Sequence, residues 1–253
     1  MTKLKSIAEF LDRELKISEF NDRSNNGLQL ENSGEIKNVC CGVDASMEFF
    51  RAAKEKGADL LICHHGISWG DSLAHISGIN YSRIKFLIEN DMALYAAHLP
   101  LDAHPKYGNN ALIAKAVGLK KLKPFGLYNG SYIGFAGTLP KPVEYTAFKN
   151  KVIADLNLTT MQSMDFGKKV ISSVAVVSGG AAGEIAEAGQ KGIDLYISGE
   201  PGLAAYSLAQ EYATNAIFAG HYATEVFGVR KLGELLKKQF KINYEFIDFK
   251  LPF

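Results

Sequence analysis

Apolar and polar positions along the chain form alternating blocks that predict helices and short buried strands in turn. Residues 3–16 place apolar side chains at helical spacing between charges, which indicates an amphipathic opening helix. The other predicted elements of the first half are strands at 39–43, 59–63 and 92–97 and helices at 46–56, 81–90 and 108–118. Such alternation predicts βαβ crossovers and a mostly parallel sheet of the α/β class.

The pattern changes near residues 124–130, where we expect a second unit to begin. Residues 132–137 and the prolines at 140 and 142 mark this change. The predicted elements that follow are strands at 169–177, 194–197, 215–218 and 241–249 and helices at 145–156, 182–191, 203–212 and 225–239. Both halves run strand, turn, helix, strand, which suggests a duplicated architecture. The chain has 253 residues, enough for two domains of common size. We therefore predict units at 1–125 and 126–253, with the C-terminal segment free to pack back on the first unit.

Charge and composition narrow the range of partners. The formal net charge is +1, and neither sign is gathered into a long block, so nucleic acid and anionic membranes are not indicated. No window has the apolar length of a signal peptide core or a membrane span, so we expect a cytoplasmic protein. The three cysteines form neither a disulfide framework nor a metal knuckle, and we expect buried, reduced thiols.

Polar side chains follow four of the predicted strands at the point where each strand ends. These residues are His64 and His65 after the second strand, His98 and Asp102 after the third, Glu200 after 194–197, and His221 and Glu225 after 215–218. In open parallel sheets, ligands bind outside the carboxyl ends of the strands. We therefore expect these side chains to converge on one crevice.

The residue types at these strand ends suit divalent metal ions. His221 and Glu225 are four residues apart at the start of a predicted helix, where they would share one face. Asp102 could bridge two ions, and adjacent histidines could serve neighbouring ions. Together His64, His65, Asp102, His221 and Glu225 are a plausible ligand set for a pair of zinc, manganese or iron ions. Two such ions can activate a shared water molecule.

Three further residues are candidates for proton transfer. Glu200 is either a general acid or base or a helix cap ahead of Pro201. His98 is a candidate donor that orients a metal ligand. His104 belongs either to the edge of the site or to a loop.

Other conspicuous residues have a structural interpretation. His75 lacks a comparable context and is assigned to the surface. Trp69 and Phe125 are assigned to packing rather than to substrate stacking. The turn Gly179-Gly180 could cradle a phosphate at the following helix, although the fuller glycine fingerprint is missing.

Four motifs, taken as a set, resemble those of one known family. They are Asn26-Gly27-Leu28-Gln29, the His64-His65 pair, Ala97-His98-Leu99-Pro100-Leu101-Asp102 and Gly220-His221-Tyr222-Ala223-Thr224-Glu225. Their order is similar to that in the GTP cyclohydrolase 1 type 2 homologues, also known as the NGG-one-interacting-factor-three-like family. The match spans most of the chain.

The resemblance implies a fold of two similar, intertwined three-layer α/β units with mostly parallel sheets. It also implies a dinuclear metal site on the five ligands named above and assembly into a homohexamer, a trimer of dimers, with the sites facing an internal cavity. The family label implies hydrolytic opening of the GTP imidazole ring with release of formate. The chain departs from the family in having Gly66 where many members have Pro, which predicts a more mobile loop, and in having no room for a large middle domain.

Three functional hypotheses follow from these residues. The first is a metal-dependent hydrolase acting on a nucleotide or related small molecule. The second is a non-enzymatic metal-binding ring that buffers metal or serves as a scaffold for a protein partner. The third is a phosphoesterase, which differs from a cyclohydrolase in releasing phosphate rather than formate.

Overall fold

The computed structural model describes residues 2–251, in which helices and strands alternate. The first half contains β1 (Thr2–Lys3), α1 (Leu4–Leu15), β2 (Gly27–Leu30), β3 (Glu35–Ile36), β4 (Asn38–Asp44), α2 (Met47–Glu55), β5 (Leu60–His65), α3 (Gly78–Glu89), β6 (Ala93–Ala96), α4 (Leu99–Asp102) and α5 (Asn109–Ala116). The second half contains β7 (Lys120–Tyr128), β8 (Ser131–Glu144), α6 (Tyr145–Asp155), β9 (Gln162–Asp165), β10 (Val170–Val176), α7 (Ile185–Gln190), β11 (Leu195–Ser198), α8 (Leu203–Glu211), β12 (Asn215–Phe218), α9 (His221–Phe240) and β13 (Asn243–Phe246).

The chain forms two compact units, and it passes from one to the other more than once. Unit 1 contains the chain up to Leu101 and the segment Gly228–Phe249, and unit 2 contains the segment Asp102–Phe227. The sequence prediction instead placed the change at 125/126. The observed boundary lies nearer the N-terminus, because buried apolar side chains of α5 and the residues that follow it belong to the core of unit 2.

Unit 1 is built on a five-stranded sheet with the strand order β13-β4-β5-β6-β2. Neighbouring strands from β13 to β6 are parallel, and β2 is antiparallel to β6. The central strands are almost entirely buried, as expected of parallel strands covered on both faces. Phe49 and Phe50 of α2 pack in one core cluster with Leu61 and Cys63 of β5.

Unit 2 is built on a six-stranded sheet with the strand order β7-β8-β10-β11-β12-β9. Strands β10, β11 and β12 are parallel, whereas β7, β8 and β9 pair antiparallel with their neighbours. Its core contains Phe148 of α6 together with Val174, Leu195 and Ile217 from the three parallel strands. The predicted α/β class is therefore confirmed, with a mostly parallel sheet in unit 1 and a mixed sheet in unit 2.

The two units share one order of elements. The order α1, β2, β4, α2, β5, α3, β6 in unit 1 matches α6, β9, β10, α7, β11, α8, β12 in unit 2. In each sheet an antiparallel strand lies beside the last parallel strand, β2 beside β6 and β9 beside β12. His65 and Glu200 stand at equivalent places, each five residues beyond the first residue of the central parallel strand. The topology thus matches the duplication that the sequence pattern suggests.

Local departures from the predicted elements occur where strands are polar. The edge strands β7 and β9 were not predicted, because their exposed positions carry polar side chains rather than a clear apolar alternation.

Two helices also differ from the prediction. Helix α9 begins at His221 instead of residue 225. The predicted helix 182–191 is a 3-10 turn, Ala182–Glu184, followed by the short α7.

The structure bears on two expectations from composition, those on the cysteines and on membrane-spanning helices. Cys40, Cys41 and Cys63 are all buried free thiols. Burial raises the pKa of each of these thiols above its ordinary value. Within residues 2–251, no helix combines the length and the apolar character that crossing a bilayer requires.

Candidate metal centre

Three histidines gather in unit 1 where β5 and β6 end. His64 and His65 are the last residues of β5, and His98 follows β6, which is the parallel neighbour of β5. Each histidine offers a ring nitrogen that lies within 4.8 Å of one from each of the others. The three ring centroids are between 4.8 and 5.6 Å apart. This cluster could hold a divalent metal ion.

Each of the three rings is held in place through its Nδ1 atom. His64 Nδ1 lies 2.8 Å from the carbonyl oxygen of Ala97, and His65 Nδ1 lies 2.8 Å from Asp44 Oδ1. A carbonyl or ionised carboxylate oxygen can only accept, so Nδ1 carries the proton in both rings. In the neutral ring Nε2 then keeps its lone pair. This arrangement orients metal-binding histidines in many proteins.

The third ring is oriented by a buried carboxylate. His98 Nδ1 lies 2.9 and 3.0 Å from the two carboxylate oxygens of Asp22, whose side chain is 3% exposed. Burial alone would raise the pKa of Asp22, but the hydrogen bond and positive charge of His98, with donors from Asn26 and Ser24, lower it to about 2. Asp22 is therefore ionised at neutral pH, and His98 donates to it.

The segment Asn26-Gly27-Leu28-Gln29 supports the loops that follow β5 and β6. Asn26 Oδ1 accepts the backbone N–H of His98 at 2.7 Å. Gln29 Oε1 accepts the backbone N–H groups of Ile67 and Ser68 at 2.9 and 3.1 Å. This motif thus holds in place the two chain segments that carry the three histidines.

Gly66 is tightly packed. A Cβ atom at this position would lie 2.3 Å from Gln29 Oε1 and 2.6 Å from the Ala96 Cβ atom. The Gly66 carbonyl also accepts the indole N–H of Trp69 at 2.8 Å. The glycine is therefore required by close packing, and the prediction of a more mobile loop has no support in these contacts. The Trp69 ring packs edge-on against His98, with centroids 5.0 Å apart, in agreement with the packing role predicted for it.

In unit 2, His221 lies between two carboxylates at the start of α9. Its Nδ1 is 2.7 Å from Glu200 Oε1, and its Nε2 is 3.1 Å from Glu225 Oε1. The spacing of four residues places His221 and the buried Glu225 on one helix face, as predicted. Burial would lower the pKa of His221, but the hydrogen bonds and charges of Glu225 and Glu200 raise it to about 9.

Glycines allow the backbone to approach this pair closely. Gly179 has φ +66°, and a Cβ atom there would lie 2.3 Å from Glu225 Oε1 and 3.1 Å from His221 Nε2. A Cβ atom at Gly180 would lie 3.7 Å from Glu200 Oε2. The predicted phosphate cradle at Gly179-Gly180 is disfavoured, because two carboxylates stand beside it.

Asp102, the last residue of α4, is buried and held by neutral donors. Its Oδ1 accepts hydrogen bonds from Asn109 Nδ2 at 2.8 Å and from Ser178 Oγ at 2.9 Å. Asn110 Oδ1 in turn accepts the backbone N–H of Ser178 at 2.6 Å. The adjacent residues Ser178 and Gly179 thus contact Asp102 and the His221–Glu225 pair, respectively.

The remaining candidates have identifiable contacts. His104 Nδ1 accepts the backbone N–H groups of Lys106 and Tyr107, and its ring stacks on Tyr107, so these contacts place it in a turn. Glu200 orients His221, and the N-cap of α8 is Gly202, so the helix-cap interpretation has no support. His75 is exposed.

Sequence reasoning missed the residues that orient the candidate ligands. Asp22, Asp44, Asn109 and Ser178 each hold one of them, and Asp22 is separated from His98 by 76 residues. Asp44 had a usable signal, because it directly follows the predicted strand 39–43, which the structure pairs with the strand of the His64-His65 pair. The others lie in polar turns that resemble ordinary loop sequence.

Comparisons with known proteins agree over the whole chain. Residues 2–252 match the model of the Duf34/NIF3 (NGG1p interacting factor 3) family. A Deinococcus radiodurans protein named GTP cyclohydrolase 1 type 2 homolog is 44% identical over 243 residues, 96% of this chain and 92% of the relative. One of the same name from Archaeoglobus fulgidus is 43% identical over 245 residues, 97% of each chain. The crystal structure of a protein from Thermus thermophilus is 33% identical and covers 100% of both chains with a TM-score of 0.89.

Proposed function

This chain belongs to the Duf34/NIF3 family, and from that premise we propose that it is a metal-dependent hydrolase acting on a nucleotide or related small molecule. We propose two divalent ions per chain, zinc, iron or manganese. Their proposed ligands are His64, His65, Asp102, His221 and Glu225.

The observation that carries this proposal is the preorganisation of the ligand side chains within each unit. In unit 1, the Nδ1 atoms of His64 and His65 donate to fixed oxygens, which leaves Nε2 as the coordinating atom. In unit 2, Asp102 and Glu225 are buried carboxylates. Imidazole with carboxylate is the donor set that borderline divalent ions prefer. The residues present therefore fit the metal that we propose.

The chain's own residues supply the other requirements of hydrolysis. When bound, a pair of divalent ions supplies Lewis acidity and makes water a stronger nucleophile at neutral pH. Glu200 and His98, both beside a proposed ligand, are candidates to accept and return a proton. His104 remains a weaker candidate, because its Nδ1 accepts two backbone N–H groups.

The name of the two relatives makes GTP the first substrate to test. Ring opening of GTP would release formate, whereas phosphoester hydrolysis would release phosphate. We also propose a homohexamer, a trimer of dimers, on the basis of the family resemblance. Analytical ultracentrifugation tests that assembly, and a monomeric species at micromolar concentration would exclude it.

The first experiment measures bound metal. We would purify the protein without added metal and determine its elemental content by plasma mass spectrometry for wild type, His221→Ala and the control His75→Ala. His75 is an exposed histidine outside both clusters. About two ions per chain are expected in wild type and in the control, with a sharp fall in His221→Ala. Negligible metal that zinc, manganese or ferrous iron cannot restore would overturn the proposal.

The second experiment measures turnover. Metal-loaded wild type is screened for formate release from GTP and for phosphate release from phosphoesters, with Asp102→Asn as the ligand variant. Loss of metal and activity together supports the assignment, and wild-type activity without metal contradicts it. Glu200→Gln that keeps metal but loses 10²-fold or more in rate would support proton transfer. Full metal occupancy without any turnover would favour the metal buffer or scaffold.

A further inference from the structure

Unit 2 contains a small cavity beside Glu200. Its volume is about 240 Å³, and it lies where β11 and β12 end, against the residues that lead into β9. The side chains and backbone that matter for its chemistry are those of Met161, Gln162, Glu200, Pro201, Phe218 and Gly220.

The corresponding connection in unit 1 is a longer loop. Residues 66–77 connect β5 to α3, whereas residues 199–202 connect β11 to α8. In unit 1, the side-chain carbonyl of Gln29 accepts two N–H groups of this loop, and Trp69 packs within it. The shorter connection in unit 2 leaves the start of β9 uncovered. The short connection in unit 2 therefore accounts for the open space beside Glu200.

The walls of the cavity select against anions. Glu200 brings a carboxylate, and no basic side chain lines the cavity in the part of the chain that the structure describes. A phosphate or carboxylate group would therefore be repelled. Met161, Pro201 and Phe218 offer apolar surface against which a flat ring can pack.

We propose that this cavity binds a flat nitrogen heterocycle, neutral or cationic, whose N–H donors face the Glu200 carboxylate. A carboxylate that accepts N–H groups in a partly enclosed site gives strong, oriented hydrogen bonds. The Gln162 amide can pair with a further polar atom of the ring. Glu200 also accepts from His221, so an occupant of the cavity lies next to a proposed metal ligand.

The cavity thus holds the ring of the substrate and leaves any phosphate group outside. Its role as a substrate subsite rests on the proposed hydrolase function. The binding of a ring does not depend on that function, because all the lining residues belong to unit 2 and none is a proposed metal ligand.

The test measures binding of a simple probe to the full chain. The probe is 2-aminobenzimidazole, a flat ring with adjacent N–H donors, and the comparison ligands are 2-naphthoate, a flat anion, and inorganic phosphate. Isothermal titration calorimetry is run on wild-type protein with and without metal. We expect 2-aminobenzimidazole to bind both forms. In the metal-free form, where no ion can bind an anion, we expect it to bind at least tenfold more tightly than either anion.

Two neighbouring substitutions locate the site. Gln162→Trp places a large side chain in the cavity, and Ser163→Trp is the matched control, because successive residues of a strand face opposite sides. We expect Gln162→Trp to weaken probe binding at least tenfold and Ser163→Trp to leave it within twofold. Thermal melting of each variant verifies folding. If Gln162→Trp does not fold, Glu200→Gln in the metal-free protein is expected to weaken binding by a similar factor.

The outcomes separate this proposal from the proposed function. Three results would overturn the cavity assignment: no probe binding at millimolar concentration, equal binding of 2-naphthoate to the metal-free protein, or unchanged probe binding in a folded Gln162→Trp. Probe binding in a protein that shows neither metal nor turnover would support the cavity and count against the hydrolase. Turnover without probe binding would support the hydrolase and count against the cavity.

Discussion

His221 is predicted to carry a proton in the metal-free protein, and a metal ion at its Nε2 must displace that proton. The ring donates from Nδ1 to Glu200 and from Nε2 to Glu225, at 2.7 and 3.1 Å. Burial opposes the charged form, but the two carboxylates outweigh it and raise the pKa of His221 to about 9. Metal affinity should therefore depend on pH in a range where an ordinary histidine no longer titrates.

The size of this effect follows from the pKa. At pH 7, a group of pKa about 9 competes with a metal ion by a factor of about 100, and the factor falls about tenfold for each pH unit up to 9. A histidine at its ordinary pKa of about 6.5 would leave the affinity nearly constant above pH 7.5. Replacing one carboxylate by an amide should lower the pKa of His221 by about one to two units.

The assay combines two measurements on protein stripped of metal with a chelator. Long-range ¹H–¹⁵N NMR spectra follow the histidine rings from pH 5.5 to 10, with His221→Gln to assign the signal among the six histidines. Titration with Mn²⁺ at pH 6.5, 7.5 and 8.5 then gives the apparent dissociation constant. We expect a midpoint near 9 in wild type and a lower one in Glu200→Gln. The control Glu211→Gln, an exposed glutamate, should leave the midpoint unchanged.

Two results would refute this reasoning. One is a His221 signal that titrates at or below pH 7, because the carboxylates would then not outweigh burial. The other is a Mn²⁺ affinity that stays constant between pH 7.5 and 8.5.

The raised pKa of His221 also affects folding, since a raised histidine pKa stabilises the metal-free fold at low pH. That stabilisation is complete below about pH 6.5 and is lost as the pH rises through about 9.

Three further predictions concern single positions. Asp44→Ala removes the oxygen that orients His65 and should weaken metal binding about 10- to 100-fold by equilibrium dialysis, whereas the exposed Asp71→Ala should not. Gly179→Ala should prevent metal binding, because its Cβ atom would meet Glu225. The control Gly192→Ala has the same φ of +66° but lies in open space, so it should lower stability by about 1 kcal/mol and keep its metal. Equal metal content in the two variants would contradict the geometry. Burial opposes ionisation of Asp194, but Lys168 and donors from two serines lower its pKa to about 2, so Asp194→Asn should cost about 2 kcal/mol in urea unfolding at pH 7. That difference should shrink as the pH falls from about 4 to 2, and a constant difference would exclude the ionic origin.

The sequence determined the buried elements of this protein. The apolar runs that end at Cys63 and Ala97 predict strands, and the structure places β5 and β6 there as parallel neighbours. Burial on both faces forces a continuous apolar run, and that signal is local, so it can be read from a single sequence. The strands β7 and β9 lie at sheet edges, where exposed positions need no apolar side chain, and their sequences carry no comparable signal.

The chemical candidates were also local in origin. A histidine or carboxylate at the end of a predicted parallel strand is marked by its position, and this position alone identified His64, His65 and His221. The protonation and orientation of their rings cannot be read from the neighbouring sequence. It depends on Asp44, which the β4–β5 ladder pairs directly with His65, and on Glu200, which is 21 residues from His221.

Only the tertiary structure decided which oxygen faces which ring nitrogen, where the units divide and where a cavity is left open. Asp22 and His98 are 76 residues apart, as are Asp102 and Ser178, and nothing in the local sequence pairs them. Hydrogen bonds act over about 3 Å, so they depend on how strands are ordered and registered in the sheet. The hydrophobic pattern fixes each element by its own periodicity, whereas the pairing of polar groups follows from the packing of all the elements together.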